Sequence, residues 1–310
     1  MAHIKNILSI LVILLAVSCN QDKTITNIIT GEISDYDEKV LMIDSDTLKV
    51  TGGKFEISIP PDYPVFRFLT YGEHTKSLFI VPGNSMKITF NASDFLGSVK
   101  VEGKGAVDNM VLDKMDSLFV ATLNFDRVND EDPVGASAYL DSCRTVNENY
   151  FDKLNKVYPT SEIFREYEKA DLEYLFAAFK SAIGLKNNVT DSVYYDFTRR
   201  IVVENEKYIG IENYRKFIMF YTSLTVMNNV QNYDLLRRND PDSVTDVTLS
   251  IINTYKSKKI KEYLTYYFIK ERLRYGSIEG FERFYNYFKS HNSDSSYAKE
   301  MKRCYEQKLN

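Results

Sequence analysis

The patterning of apolar residues changes type near Gly103–Gly105, and this switch limits what the chain can fold into more than any other feature. Before it, apolar residues alternate with polar ones or sit in β-branched runs: Thr26 to Ile33, Lys39 to Ile43, Asp46 to Val50 and Lys54 to Ile59, with Gly52-Gly53 as turn chemistry. Pro60-Pro61 and Pro64 interrupt the pattern, and Phe66, Phe68 and Thr70 resume it. Leu78 to Val81 is a further apolar run before the turn signal Pro82-Gly83-Asn84, and Met86 to Phe90 and Ser98 to Val101 complete the set. From Val107 onward glycine and proline are sparse, and apolar residues recur at i, i+3 and i+4. Strands gathered ahead of helices predict a segregated α+β chain: an N-terminal antiparallel β-sandwich over residues 24–105, then an all-α helical domain over residues 106–310.

About eight helices are expected, with breaks near Asp130–Gly135, Pro159, Lys186–Asn188, Gly210, Asn239–Asp242 and Gly276. Phe164, Tyr167, Leu175, Ala178 and Ala182 trace one apolar stripe; Ile260, Leu264, Tyr267 and Phe268 trace another. Phe281, Phe284, Tyr285 and Phe288 form a third, with Ser277 as its N-cap. The 23 tyrosines and 19 phenylalanines, with no tryptophan, read as packing residues, the tyrosines half-buried with a wet hydroxyl. Each part satisfies its own core, so the two are expected to touch through a modest, partly polar interface. Any binding cleft is expected where they meet.

The first nineteen residues are an address. Lys5 supplies a positive start, Ile7 to Val17 form an apolar run broken only by Ser9, and Ala16-Val17-Ser18 lead into Cys19. The run is shorter than the ~20 residues a span requires and reads as a signal-peptide core. Small residues before cysteine resemble a bacterial lipobox, with Ala16 where leucine is usual. That resemblance implies a lipoprotein signal peptide over residues 1–19, cleaved ahead of Cys19 so that lipidated Cys19 becomes the mature N-terminus, with residues 20–23 as a tether to the membrane. Asn20 and Gln21, without an acidic run, point to an outer-membrane lipoprotein facing the periplasm.

Charge and cysteine content narrow the chemistry. With 39 basic and 43 acidic residues interspersed, net −4, there is no electrostatic footprint for nucleic acid. Beyond Cys19 only Cys143 and Cys304 remain, without C-x-x-C or metal-ligand spacing, and no bridge between them is expected. His74 reads as a hairpin-tip residue and His291 as the end of a helix; neither stands in a hydrolase or metalloprotease motif. Asp44-Ser45-Asp46 lacks the glycine and distal glutamate of a calcium loop and reads as a turn. No carboxylate pair stands out among 43 acidic residues as a glycosidase pair. The expectation is therefore no catalytic residue, no cofactor and no metal.

The β segment resembles the small N-terminal domain of Bacteroidota lipoproteins of the TlpA/ResA thioredoxin-like kind. The likeness rests on I-T-G-E-I at Ile29 to Ile33, D-S-D-T at Asp44 to Thr47, G-G-K-F-E-I at Gly52 to Ile57, Tyr63-Pro64, L-F-I-V-P-G-N at Leu78 to Asn84 and V-E-G-K-G at Val101 to Gly105. In that family a helical segment and a thioredoxin-like domain follow, whereas this chain stops at Asn310 and has no W-C-x-x-C counterpart. The resemblance implies a binding or scaffold module of the cell envelope, with an envelope protein or thioredoxin-like partner. The alternative it implies is a truncated or split thiol–disulfide oxidoreductase. Finally, D-[ST]-apolar recurs at Thr47, Ser117, Ser192 and Ser243, each after an aspartate. It resembles the acceptor motif of Bacteroidota O-glycosylation, and equally suits turns and N-caps.

Overall fold

The computed structural model describes residues 27–44, 46–59, 64–231, 233 and 238–309. Eight strands precede a mostly helical region. They are β1 (Asn27–Ser34), β2 (Leu41–Ile43), β3 (Asp46–Thr47), β4 (Lys54–Ile59), β5 (Val65–Tyr71), β6 (His74–Ile80), β7 (Met86–Asn91) and β8 (Lys100–Gly103). They form two four-stranded sheets, ordered β4-β1-β7-β8 and β3-β2-β5-β6. Inward-facing side chains of both, such as Ile29, Leu69, Leu78 and Ile88, share one apolar core. Gly31 is required where it stands: Phe55 on the paired strand lies over it, and a Cβ would come within 2.0 Å of the ring.

The expected all-antiparallel pairing is corrected at one place. β1 and β7 run parallel, from Ile29 opposite Met86 to Ser34 opposite Asn91. A hairpin reverses the chain, but β7 follows a β5–β6 hairpin in the other sheet, so it re-enters the first sheet as a crossover in the direction of β1. Buried Asn27 fixes the re-entry. Its amide donates to the Val81 carbonyl at 3.0 Å and its carbonyl accepts from the Gly83 amide at 2.6 Å. Two boundaries also differ from expectation. The predicted strand Asp46 to Val50 pairs only over Asp46–Thr47, and Ser98 ends a short helix, α1 (Phe95–Ser98), capped by the Asp94 side chain at the Gly97 amide.

Gly105, in the left-handed region at φ 88°, opens the helical region. There follow α2 (Ala106–Thr122), α3 (Phe125–Asp130), α4 (Pro133–Val157), α5 (Glu162–Lys186), α6 (Glu212–Asn229), α7 (Pro241–Thr254), α8 (Lys258–Tyr275), α9 (Phe281–His291) and α10 (Ser295–Leu309). α5 is the central helix, packed on α4 and α6. Ala170, Ala177, Ala178, Ser181 and Gly184 are all buried along it, and these small residues let its neighbours approach closely. Ser277 is not the N-cap of α9, because the helix starts after Gly280 at φ 71°. The Ser277 carbonyl instead accepts from buried Arg272 at 2.9 Å, which fixes it outside the helix.

The tyrosine reading also needs correction. Tyr71, Tyr167, Tyr174 and Tyr214 are fully buried rather than half-buried. The Tyr167, Tyr174 and Tyr214 hydroxyls donate to the carbonyls of Lys207 (3.2 Å), Val202 (2.9 Å) and Val203 (2.9 Å). They hold the irregular stretch between α5 and α6, whose carbonyls have no ladder to join.

One strand serves both regions. On β6, Leu78 and Ile80 point into the sheet core while Phe79 between them points out into the helical core. There it meets Phe164 edge-on at 5.1 Å and Tyr167 at 6.0 Å. Asn109 of α2 completes the junction. Its carbonyl accepts from the Phe79 amide at 2.8 Å and its amide donates to the Phe79 carbonyl at 3.0 Å, as a neighbouring strand would. This side-chain pairing satisfies the edge of the sheet and orients α2 along it.

Candidate functional site

Beside that junction the two regions leave a cleft of about 780 Å³. β5 and β6 form one wall, α2 and α5 the floor, and the start of α6 with α8 and α10 the far side. Its size lies within the range of small-molecule sites.

Three carboxylates meet the cleft from the floor: Asp116 of α2, and Glu168 and Asp171 of α5. The last two are three residues apart, so one helix face carries both. Glu168 is only 3% exposed, and its Oε2 has no hydrogen-bond partner among the described residues. Burial, and then the charges of Asp171 and Asp116, push its carboxyl well above the usual range. Asp171 accepts from the Asn213 amide at 2.9 and 3.0 Å. Burial nevertheless raises its pKa to about 7, with Asp116 and Glu212 adding to the rise. Asp116 is also raised, mainly by burial, against a lowering hydrogen bond from Ser77.

The basic side chains around these carboxylates are engaged elsewhere. Arg67 pairs with Asp44 at 2.7 Å, and Lys216 with Glu212 at 2.6 Å. Lys270 pairs with Glu300, and the Arg215 guanidinium lies 6.0 Å from the Tyr263 ring centre while donating to the Ile209 carbonyl. The far wall is aromatic: Tyr266 and Tyr297 stack at 4.5 Å, with Tyr263 beside them. Among the described residues no histidine or cysteine lines the cleft.

Of the residues singled out from the sequence, Asp44 and Asp46 line the cleft and Ser117 is a chain neighbour of Asp116, while the others lie apart from it. His74 is exposed at the β5–β6 turn, opposite Tyr71. His291 ends α9, stacked on Tyr287 at 3.9 Å. Cys143 is buried on α4 and Cys304 partly buried on α10, both as free thiols. Asp44 turns the chain between β2 and β3, its carboxylate taken by the Phe68 amide and Arg67. Thr47 is exposed on β3, Ser192 lies exposed in the turn after α5, and Ser243 sits in the first turn of α7, bonded to the capping Asp240. Ser117 is exposed in mid-helix, donating to the Asp113 carbonyl at 2.9 Å, where neither a turn nor a cap is formed. These four hydroxyls stand on separate elements. Cys19 lies outside the described residues.

Among the described residues no group of acidic, histidine or cysteine side chains is arranged to hold a metal ion, and no helix is long and apolar enough to cross a membrane. Comparison with family models, curated proteins and solved structures returns no match for this chain.

Proposed function

We propose that this chain is a cell-envelope lipoprotein, held by lipid on Cys19 at the outer membrane and facing the periplasm. It acts there as a binding module without a catalytic site of its own. In this reading the two sheets form a sandwich, and the ligand sits between sandwich and helices. The observation that carries the binding role is the cleft itself. Its walls come mostly from regular strands and helices, and two buried polar atoms that line it, Glu168 Oε2 and Arg67 Nε, have no hydrogen-bond partner among the described residues. Among the described residues its lining offers neither a thiol pair nor a histidine base.

Two measurements test the two halves of this reading. Native mass spectrometry of the full-length protein, extracted in mild detergent, should show a non-lipid adduct. Leu175→Trp, which fills the cleft from α5, should remove it; an adduct absent from the wild type, or retained unchanged by the variant, contradicts the binding role. Separately, Cys19→Ala should move the protein from the membrane pellet to the soluble fraction, since stable anchoring needs the lipid. A variant that pellets as the wild type does would remove the lipoprotein assignment. Protease added to intact cells should leave the wild type uncut.

A further inference from the structure

The cleft carries more than a general capacity to bind. Resting on the reading above, we infer that its ligand is a linear aliphatic amine, a diamine or polyamine, whose ammonium groups meet Glu168, Asp171 and Asp116. Four observations point to this class. Glu168 is 3% exposed, faces the cleft, and leaves Oε2 without a partner among the described residues. A buried acceptor without a donor is costly, and such a group persists where something outside the chain supplies the donor. The nearby cations do not supply it: Lys216 is held by Glu212, Lys270 by Glu300, and Arg67 by Asp44 through Nη1, while the buried Arg67 Nε has no partner among the described residues, Glu168 included. Three carboxyls, Glu168, Asp171 and Asp116, are left without a cation against one cation, Arg215, left without a carboxylate, and a cationic ligand is what pairs with them in ionised form.

The shape selects among cations. A bare metal ion needs ligands converging on one point, and no such group exists among the described residues. The carboxylates are instead spread over two helices, with apolar Met115, Leu172 and Leu175 lining the same cleft. Separated charges joined by methylenes match that alternation, the chain lying on the apolar side chains. The Tyr263, Tyr266 and Tyr297 cluster opposite already carries Arg215 over Tyr263 and Lys270 over Tyr266, so the ammonium groups are left to the carboxylates. A volume of about 780 Å³ leaves room for such a chain with water.

The test is isothermal titration of the full-length protein in detergent with spermidine, 1,4-diaminobutane, 1,4-butanediol and calcium chloride. Spermidine should bind, diaminobutane more weakly, and butanediol, of the same length without charge, not measurably. Glu168→Gln should weaken spermidine by at least about tenfold, because it removes the charge from a buried contact. Its thermal midpoint should not fall, which separates lost recognition from lost folding. Absence of spermidine binding, equal binding of butanediol, unchanged affinity in Glu168→Gln, or calcium binding as tightly at the same site would each overturn the inference. If spermidine fails while the adduct that Leu175→Trp removes is present, the cleft still binds and the amine alone is wrong.

Discussion

Phe79→Ala should destabilise the whole protein by about 3–5 kcal/mol, the usual cost of removing a fully buried phenylalanine. The side chain is 1% exposed and stands among Phe66, Phe164 and Tyr167. Because its neighbours Leu78 and Ile80 belong to the other core, the loss should not stay on one side. Urea unfolding followed by far-ultraviolet circular dichroism and by tyrosine fluorescence should give one coincident transition, moved to lower urea. Asn109→Ala acts on the same strand by another route, leaving the Phe79 amide and carbonyl without partners at a cost of about 1–3 kcal/mol. Asn109 on α2 bonds the backbone of Phe79 itself, so the double variant should lose less than the sum. Two separated transitions in the wild type, or a Phe79→Ala loss under about 1 kcal/mol, would show that the junction does not couple the regions.

That junction marks where sequence reading stops. The order of strands before helices, and breaks such as Pro159, Gly210 and Gly276, follow from periodicity and capping, which are local. The parallel pairing of β1 with β7 does not, since it depends on an intervening hairpin joining a different sheet. The double role of β6 is equally hidden, because Leu78-Phe79-Ile80 reads as one apolar run and only packing assigns alternate residues to different cores. The tyrosines misread as wet are a further case. Their spacing places them on helix faces, but only the long irregular stretch before α6 explains why their hydroxyls are buried.

The candidate site left a fainter trace. Among 43 acidic residues a pair carries no signal by count, yet position carries one. The stripe on α5 runs Phe164, Tyr167, then Leu175, and the position that would continue it, four residues from each of the last two, is Asp171. Glu168 likewise lies four residues after Phe164 and four before Leu172. Acidic residues standing in an apolar stripe are the mark of a buried polar site. Asp116 had no such mark, since its burial comes from β6 across the joint.

Those stripe positions lead to the second large effect, in which function and stability oppose each other. Asp171→Asn and Glu168→Gln should stabilise the unliganded protein at about pH 8 and have little effect at about pH 4. Well below the ordinary carboxylate range, folded and unfolded chains both hold these protons, so pH gives no difference. Between that range and about 7 the folded protein keeps the Asp171 proton while the unfolded chain has released it, and each rise in pH favours unfolding. Above about 7 the penalty from Asp171 is constant. Glu168, raised by its burial and by Asp171 and Asp116, adds a decline of the same sign. Glutamine removes the buried charge and can offer an N–H donor to its carboxylate neighbours, so Glu168→Gln should gain about 1–3 kcal/mol at the alkaline end. Urea midpoints of the wild type and both variants across that pH range measure the divergence. Variants that lose stability equally at both ends would mean that the carboxylates make structural bonds and that burial does not hold their charge at a cost.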